Sequence, residues 1–212
     1  FVRATSLRGL PSDQVLVMLN GKRFNRSALV QVYNGGDTGL SFGSHGSDIS
    51  SIPSIAIKRL EVLRDGATAQ YGSDAIAGVL NYGLRDDAGF EVLARYGQYK
   101  EDSDGESQQI AANFGYAFGD RGFINLSGEY VDDGQTSRGV TRPTALAFAQ
   151  ENPSLANRLP HYPLPAQIWG NSPSHGYKFL LNSALDVTER GKVYLFGNYA
   201  ENHADQSFNF RS

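Results

Sequence analysis

VLRDGATAQYGSDAIAGVLNYGLRDD, residues 62–87, crowds small residues between two apolar runs. A glycine-rich connection between strands invites a phosphate-binding reading. A Walker loop needs Gly, four residues, then Gly-Lys-Ser/Thr, but GSDAIAG runs into Val79 and Leu80 with no lysine for a phosphate. The Gly-x-Gly-x-x-Gly spacing of dinucleotide sites is missing as well. The small residues need another explanation, and the rest of the chain supplies it.

Composition bounds the answer. The 212 residues include 24 glycines, no cysteine and a net charge of -3. No apolar run approaches the roughly 18 residues of a membrane helix. Zero cysteine removes disulfides, thiolate metal sites and cysteine nucleophiles together. The slight acidity argues against nucleic acid, whose phosphates demand clustered Lys and Arg.

Two regimes meet near residues 86–88. In the first, QVLVML (14–19) reads as a strand closed by Asn20-Gly21, a hairpin-turn dipeptide. Residues 25–50 mix five glycines, Gly35, Gly36, Gly39, Gly43 and Gly46, with polar residues and read as a long loop. Ser50 or Ser51 can cap a short helix reaching Lys58, with Pro53 in its first turn. RLEVL (59–63) is a second strand, Ser73 caps a short helix over 74–77, Gly78 ends it, and 79–84 is a third strand. This is a small α+β unit.

The second regime has strand period. Phe90, Val92, Ala94 and Tyr96 alternate with more polar neighbours, as do Ile110, Ala112, Phe114, Tyr116 and Phe118. Three further runs follow, around 124–130, 177–186 and 193–199. Five strands in order suggest an antiparallel meander. One face is apolar and aromatic; the other offers Glu91, Arg95, Asn113, Asn125, Glu129, Asn182 and Asp186 to water. A soluble sandwich alternates in the same way, so periodicity leaves both readings open.

The connections separate them. Gly119-Asp120-Arg121-Gly122 and Thr188-Glu189-Arg190-Gly191 are tight turns, whereas the other two connections are an acidic loop and a long stretch near 133–174. Alternating short and long connections put all tight turns on one rim, the asymmetry of an outer-membrane barrel. Phe90, Tyr116 and Phe118 then belong to the aromatic girdle of one rim, and Tyr96, Tyr130 and Tyr177 to the other.

The remaining chemistry is thin. His45, His161, His175 and His203 lack the i, i+4 spacing of a helical zinc site, so no metal and no cofactor is expected. Gly43-Ser44-His45 is not a nucleophile elbow, which sits on a strand-to-helix turn. The acidic run 101–106 lacks the ligand pattern of a calcium loop. The Pro-rich tract 152–173, after the helix-like TALAFAQEN, reads as a folded loop.

The order RGL (8–10), VLVMLNGKR (15–23) and IPSIAIKRLEVLRDGATAQYGSDAIAGVLN (52–81) closely resembles the plug domain of TonB-dependent outer-membrane transporters. The family often has Gly-Pro after the arginine of the last motif, where this chain has Asp65-Gly66. The resemblance implies a mainly β protein: a plug over residues 1–87, then the first strands of a 22-stranded transmembrane barrel over 88–212. It explains the opening stretch as close backbone packing inside a confined globule. It implies transport, not catalysis: TonB, with ExbB and ExbD, pulls on a TonB box upstream of Phe1, and a siderophore, cobalamin, oligosaccharide or peptide enters. Arg64 is expected to seat the plug on barrel carboxylates. Substrate contacts are expected from Arg26, Tyr33, Asn34, Asp37 and His45 of the plug's apical loop, and from Arg138, His161, Tyr162 and Trp169 of the long loop. A soluble β-rich binding or adhesion module is the alternative, and a passive porin a more distant one.

Overall fold

The structure, a computed structural model, describes residues 3–30, 43–64, 67–101, 103–156 and 169–205. Its first sheet is built from β1 (Val15–Leu19), β2 (Lys22–Arg23), β3 (Ile57–Leu63) and β4 (Gly78–Leu84), in the order β2-β1-β4-β3. β1 and β4 run parallel, pairing Val15 with Gly78 through Leu19 with Tyr82. A parallel pair at the sheet centre is covered on both faces, and every residue of β1 is buried. Val15, Val17 and Leu19 pack with Leu80, Tyr82 and Leu84 on one side, while Leu16 and Met18 meet Ala75 and Val79 on the other. Each of these larger aliphatic side chains contributes about 1.5–3 kcal/mol by leaving water.

Asn20 and Gly21 both hold positive φ, 48° and 74°, as the tight turn into β2 requires. Gly78 holds φ 142°, and a Cβ there would press on the Leu63 carbonyl and the Leu7 side chain. Ala75 and Ala77 are fully enclosed beside it, and the Ala77 N–H donates to the Gln14 carbonyl at 2.9 Å. The small residues of the opening stretch let the chain cross directly over β1.

Two local expectations are corrected. In place of a helix from Ser51 to Lys58 there are two 3-10 turns, Ile49–Ser51 and Ser54–Ala56, and β3 already begins at Ile57. Asp48 caps the first turn by accepting from the Ser50 N–H, and β-branched Ile52, Ile55 and Ile57 favour the extended geometry around the second. The helix expected over 74–77 is instead α1 (Ala67–Tyr71), followed by a single 3-10 turn at Ser73–Ala75.

The second sheet holds β5 (Gly89–Gly97), β6 (Ser107–Ala117), β7 (Gly122–Asp133), β8 (Ser174–Thr188) and β9 (Gly191–Ala204), each hydrogen-bonded to the next. It is the expected meander, and its strands, 9 to 15 residues long, reach or exceed the roughly 9–11 residues a tilted strand needs to span hydrocarbon. Within the long connection lie α2 (Pro143–Glu151), with Pro143 in its first turn, and α3 (Pro153–Ala156). No helix among the described residues is long and apolar enough to cross a membrane, which has no bearing on strands.

Two compact units result. Phe1–Leu93, Ile110–Tyr130 and Tyr177–Glu201 form one; Ala94–Gln109, Val131–Gly176 and Asn202–Ser212 form the other. Within the first unit the plug sheet rests on the polar face of the strands, and Leu180 of β8 enters the plug's own core. The opposite face stays open: Ile110, Phe114, Leu126, Phe179 and Leu195 are all at least half exposed. All six aromatics assigned to the girdles are exposed too. A continuous bare apolar face of this kind suits lipid, not water.

Candidate functional site

The polar face of the strands is where sequence reasoning went partly astray: Glu91 and Arg95 are exposed as expected and Asp186 partly so, but four others on that face are shut away from water. Asn113, Asn125, Glu129 and Asn182 are each at most 5% exposed. Asn125 Nδ2 donates to the Asp87 carbonyl at 3.1 Å, and Asn182 Nδ2 to the Arg85 carbonyl at 2.8 Å. Asn182 Oδ1 accepts from Tyr194 Oη at 2.9 Å and from Asn20 Nδ2 at 3.2 Å. Asn20 Oδ1 in turn accepts from the Leu84 N–H at 2.8 Å, and its Nδ2 also meets Tyr194 Oη. The chain leaving the plug is held from the other side as well: Arg85 Nε donates to the Ile55 carbonyl at 2.8 Å and Arg85 pairs with Glu91 at 2.5 Å.

The plug-loop candidates divide. Tyr33, Asn34 and Asp37 lie outside the described residues, as do His161 and Tyr162 of the long loop. Arg26 donates to the Asp13 carbonyl at 3.3 Å and shares the carboxylate of Asp74 with Arg23. His45 meets the Ser27 carbonyl through Nε2. Arg26 therefore fastens the plug loop to the plug, whereas His45 ties the two ends of the loop to each other. The Arg64 guanidinium is exposed and meets no carboxylate among the described residues.

In the second unit the base of the loops is knitted around Arg138. Its two terminal nitrogens donate to both oxygens of Asp104, at 2.7 and 3.0 Å, and its guanidinium lies 5.2 Å from the centre of the Tyr99 ring. A bidentate pair stacked on an aromatic face fixes a guanidinium far better than a single contact. The Arg138 N–H donates to the Trp169 carbonyl at 2.8 Å, and Asn171 N–H to Thr136 Oγ1 at 2.8 Å. Gly170 permits that approach, since a Cβ would strike Thr136. Tyr99, Lys100, Glu101, Thr136, Arg138 and Asn171 line a cavity of about 330 Å³, and the Trp169 residue beside it is 58% exposed. The cavity offers cations, a carboxylate, an aromatic face and amide and hydroxyl groups, the repertoire of a polar ligand site.

Hydrogen bonds from Arg138 hold the Asp104 carboxyl below its ordinary value. A depressed folded pKa gives stability that is complete above the unfolded value and lost as pH falls through the folded one. We expect fluorescence of Trp169, the chain's one tryptophan, to stay flat from neutrality down to about pH 4 and to change below it. Asp104→Asn should abolish that transition. A transition centred near pH 6 would place its cause elsewhere.

A family model, the TonB-dependent Receptor Plug Domain, matches residues 2–79. Residues 2–79 thus belong to the TonB-dependent receptor plug domain family. The chain has the plug and strands of the β-barrel receptor fold. The vitamin B12 transporter BtuB of Vibrio cholerae serotype O1 is 31% identical over 138 residues, covering 63% of this chain and 19% of the relative. Solved structures of the ferric enterobactin receptor PfeA from Pseudomonas aeruginosa share the fold. One mutant superposes over 93% of this chain and 26% of that one, with a TM-score of 0.63 at 16% identity. A second, in complex with enterobactin, gives 0.58 at 15% identity over 91% of this chain. This receptor chain thus spans about a fifth to a quarter of the relatives it matches.

Proposed function

We propose that the receptor imports a scarce, bulky nutrient across the outer membrane, driven by TonB with ExbB and ExbD. The observation that carries the reading is the plug sheet seated on the polar face of membrane-type strands. A passive pore has no use for such an obstruction. We place the plug at residues 1–87 and the opening barrel strands at 88–212, with an extracellular loop near 133–174. Nothing in this role calls for bond chemistry, so the protein works as a transporter, not an enzyme.

Siderophores, cobalamins, oligosaccharides and peptides are the candidate substrate classes. Arg26, Tyr33, Asn34, Asp37 and His45 of the plug loop are proposed contacts, and so, independently, are Arg138, His161, Tyr162 and Trp169 of the long loop. Loops rich in aromatic and polar groups on a rigid scaffold are where binding usually resides. For Arg64 the proposed role is seating the plug on barrel carboxylates.

Growth on a limiting nutrient with and without TonB tests the reading, since uptake that persists without TonB would mark a passive pore. Deleting residues 35–44 should abolish substrate binding while the barrel stays heat-modifiable on unboiled gels. Trp169→Ala should weaken binding by about tenfold, the usual effect of removing an aromatic anchor. Unchanged affinity in both variants would place the site elsewhere.

A further inference from the structure

Glu129 of β7 stands on the face that meets the plug with 3% of its side chain exposed, and its two oxygens serve different partners. Oε1 accepts from Nζ of Lys178 on neighbouring β8 at 2.7 Å. Oε2 accepts from the plug alone, from the Ser54 N–H at 2.6 Å and from Ser54 Oγ at 2.7 Å. Ser54 opens the 3-10 turn that launches β3, so its N–H has no partner inside the turn. A buried carboxylate needs a counter-charge or it is expelled or protonated. Lys178, itself only 12% exposed, supplies that charge from the wall and not from the plug.

We infer that Glu129 is a reversible latch, kept charged on the barrel wall by Lys178 and engaged by the Ser54 turn when the plug is closed. At Glu129, release breaks the two bonds at Oε2. It leaves no unpaired charge behind, because the Glu129 and Lys178 pair stays intact on the wall, ready to recapture the turn. The inference rests on the reading that the plug closes the barrel.

The test uses the full-length receptor in cells lacking TonB, with vancomycin entry as the readout of an open plug. Ser54→Ala removes the Oγ bond, and Ser54→Pro removes both donors without touching the wall. Proline fits there: Pro53 has ψ 128°, in the range allowed before proline, and a first-turn position tolerates it. Entry should rise in the order wild type, Ser54→Ala, Ser54→Pro, with Ser54→Pro about ten- to a hundredfold above wild type, as two lost charge-assisted bonds imply. Glu129→Gln should also leak, because it removes the charge from the wall side. Deletion of residues 1–87 is the reference for a fully open barrel. If that deletion leaks while Ser54→Pro and Glu129→Gln stay tight, the latch is wrong and the plug reading stands. If the deletion itself admits no vancomycin, the plug reading fails and takes the latch with it. Heat-modifiable migration shows which variants keep the barrel; should Ser54→Pro lose it, Glu129→Gln decides alone, leakage supporting the latch and tightness overturning it.

Discussion

Replacing Gly115 by alanine is expected to lift the end of the plug off the barrel wall. A Cβ built on Gly115 falls on the carbonyl oxygen of Asp87 and lies 2.8 Å from Asn125 Oδ1. Neither neighbour can retreat freely. Asp87 is bonded through that same carbonyl to Asn125, and Arg85 just before it is tied to Asn182, Ile55 and Glu91. Overpacking typically costs about 1–3 kcal/mol. The forced loss of the bond to Asp87 adds about 1 kcal/mol. Protease cleavage near residues 85–88 should therefore rise by about one and a half to three orders of magnitude, at about 1.4 kcal/mol for each tenfold, in a barrel that still shows heat-modifiable migration. Wild-type cleavage rates would mean that the close approach is easily relaxed.

Asn182→Leu should act on the same junction by a different route. Leucine keeps the branching and number of side-chain atoms and has bulkier methyl ends, so a cavity is not the issue. What disappears is an acceptor for Asn20 and Tyr194 and a donor to the Arg85 carbonyl, all in a site where Asn182 is 1% exposed. Each buried polar group left without a partner costs about 1–3 kcal/mol. Asn20 and Tyr194 retain each other, so the net loss should be about 2–4 kcal/mol. The effect should be read by hydrogen exchange at the Leu84 amide, whose partner is Asn20 Oδ1. Faster exchange there, with no change in the outer halves of the strands, is the expected pattern; protection equal to wild type would show that Asn182 is incidental to seating.

Much of the fold could be read from local pattern. The VLVML run, the Asn20-Gly21 turn and the alternation from Phe90 onward each carry their structure in a few adjacent residues, and the matching elements formed. The stretch from Ser50 to Lys58 failed because a serine cap and a first-turn proline serve a 3-10 turn as well as a helix. Alternation revealed which side of each strand was polar but not what would cover it. Glu129, Asn125 and Asn182 therefore read as solvated when they grip the plug, and Leu180, set among polar neighbours, gave no sign of joining the plug core. Site residues were the least legible. Arg138 and Arg26 were chosen as cations in loops, and their partners Asp104 and Asp74 lie 34 and 48 positions away, beyond any local rule.

The parallel pairing of β1 with β4 has a mechanical meaning. Tension entering from the N-terminal side reaches β1 at Val15, while β4 is restrained beyond Leu84 by the chain fastened at Arg85 and Asp87. These are opposite ends of the parallel pair. Load so applied runs along the strands and strains the ladder bonds together, as a lap joint is loaded in shear, instead of peeling them one after another. The centre of this sheet should consequently yield late, at high force, after segments whose bonds can be opened singly.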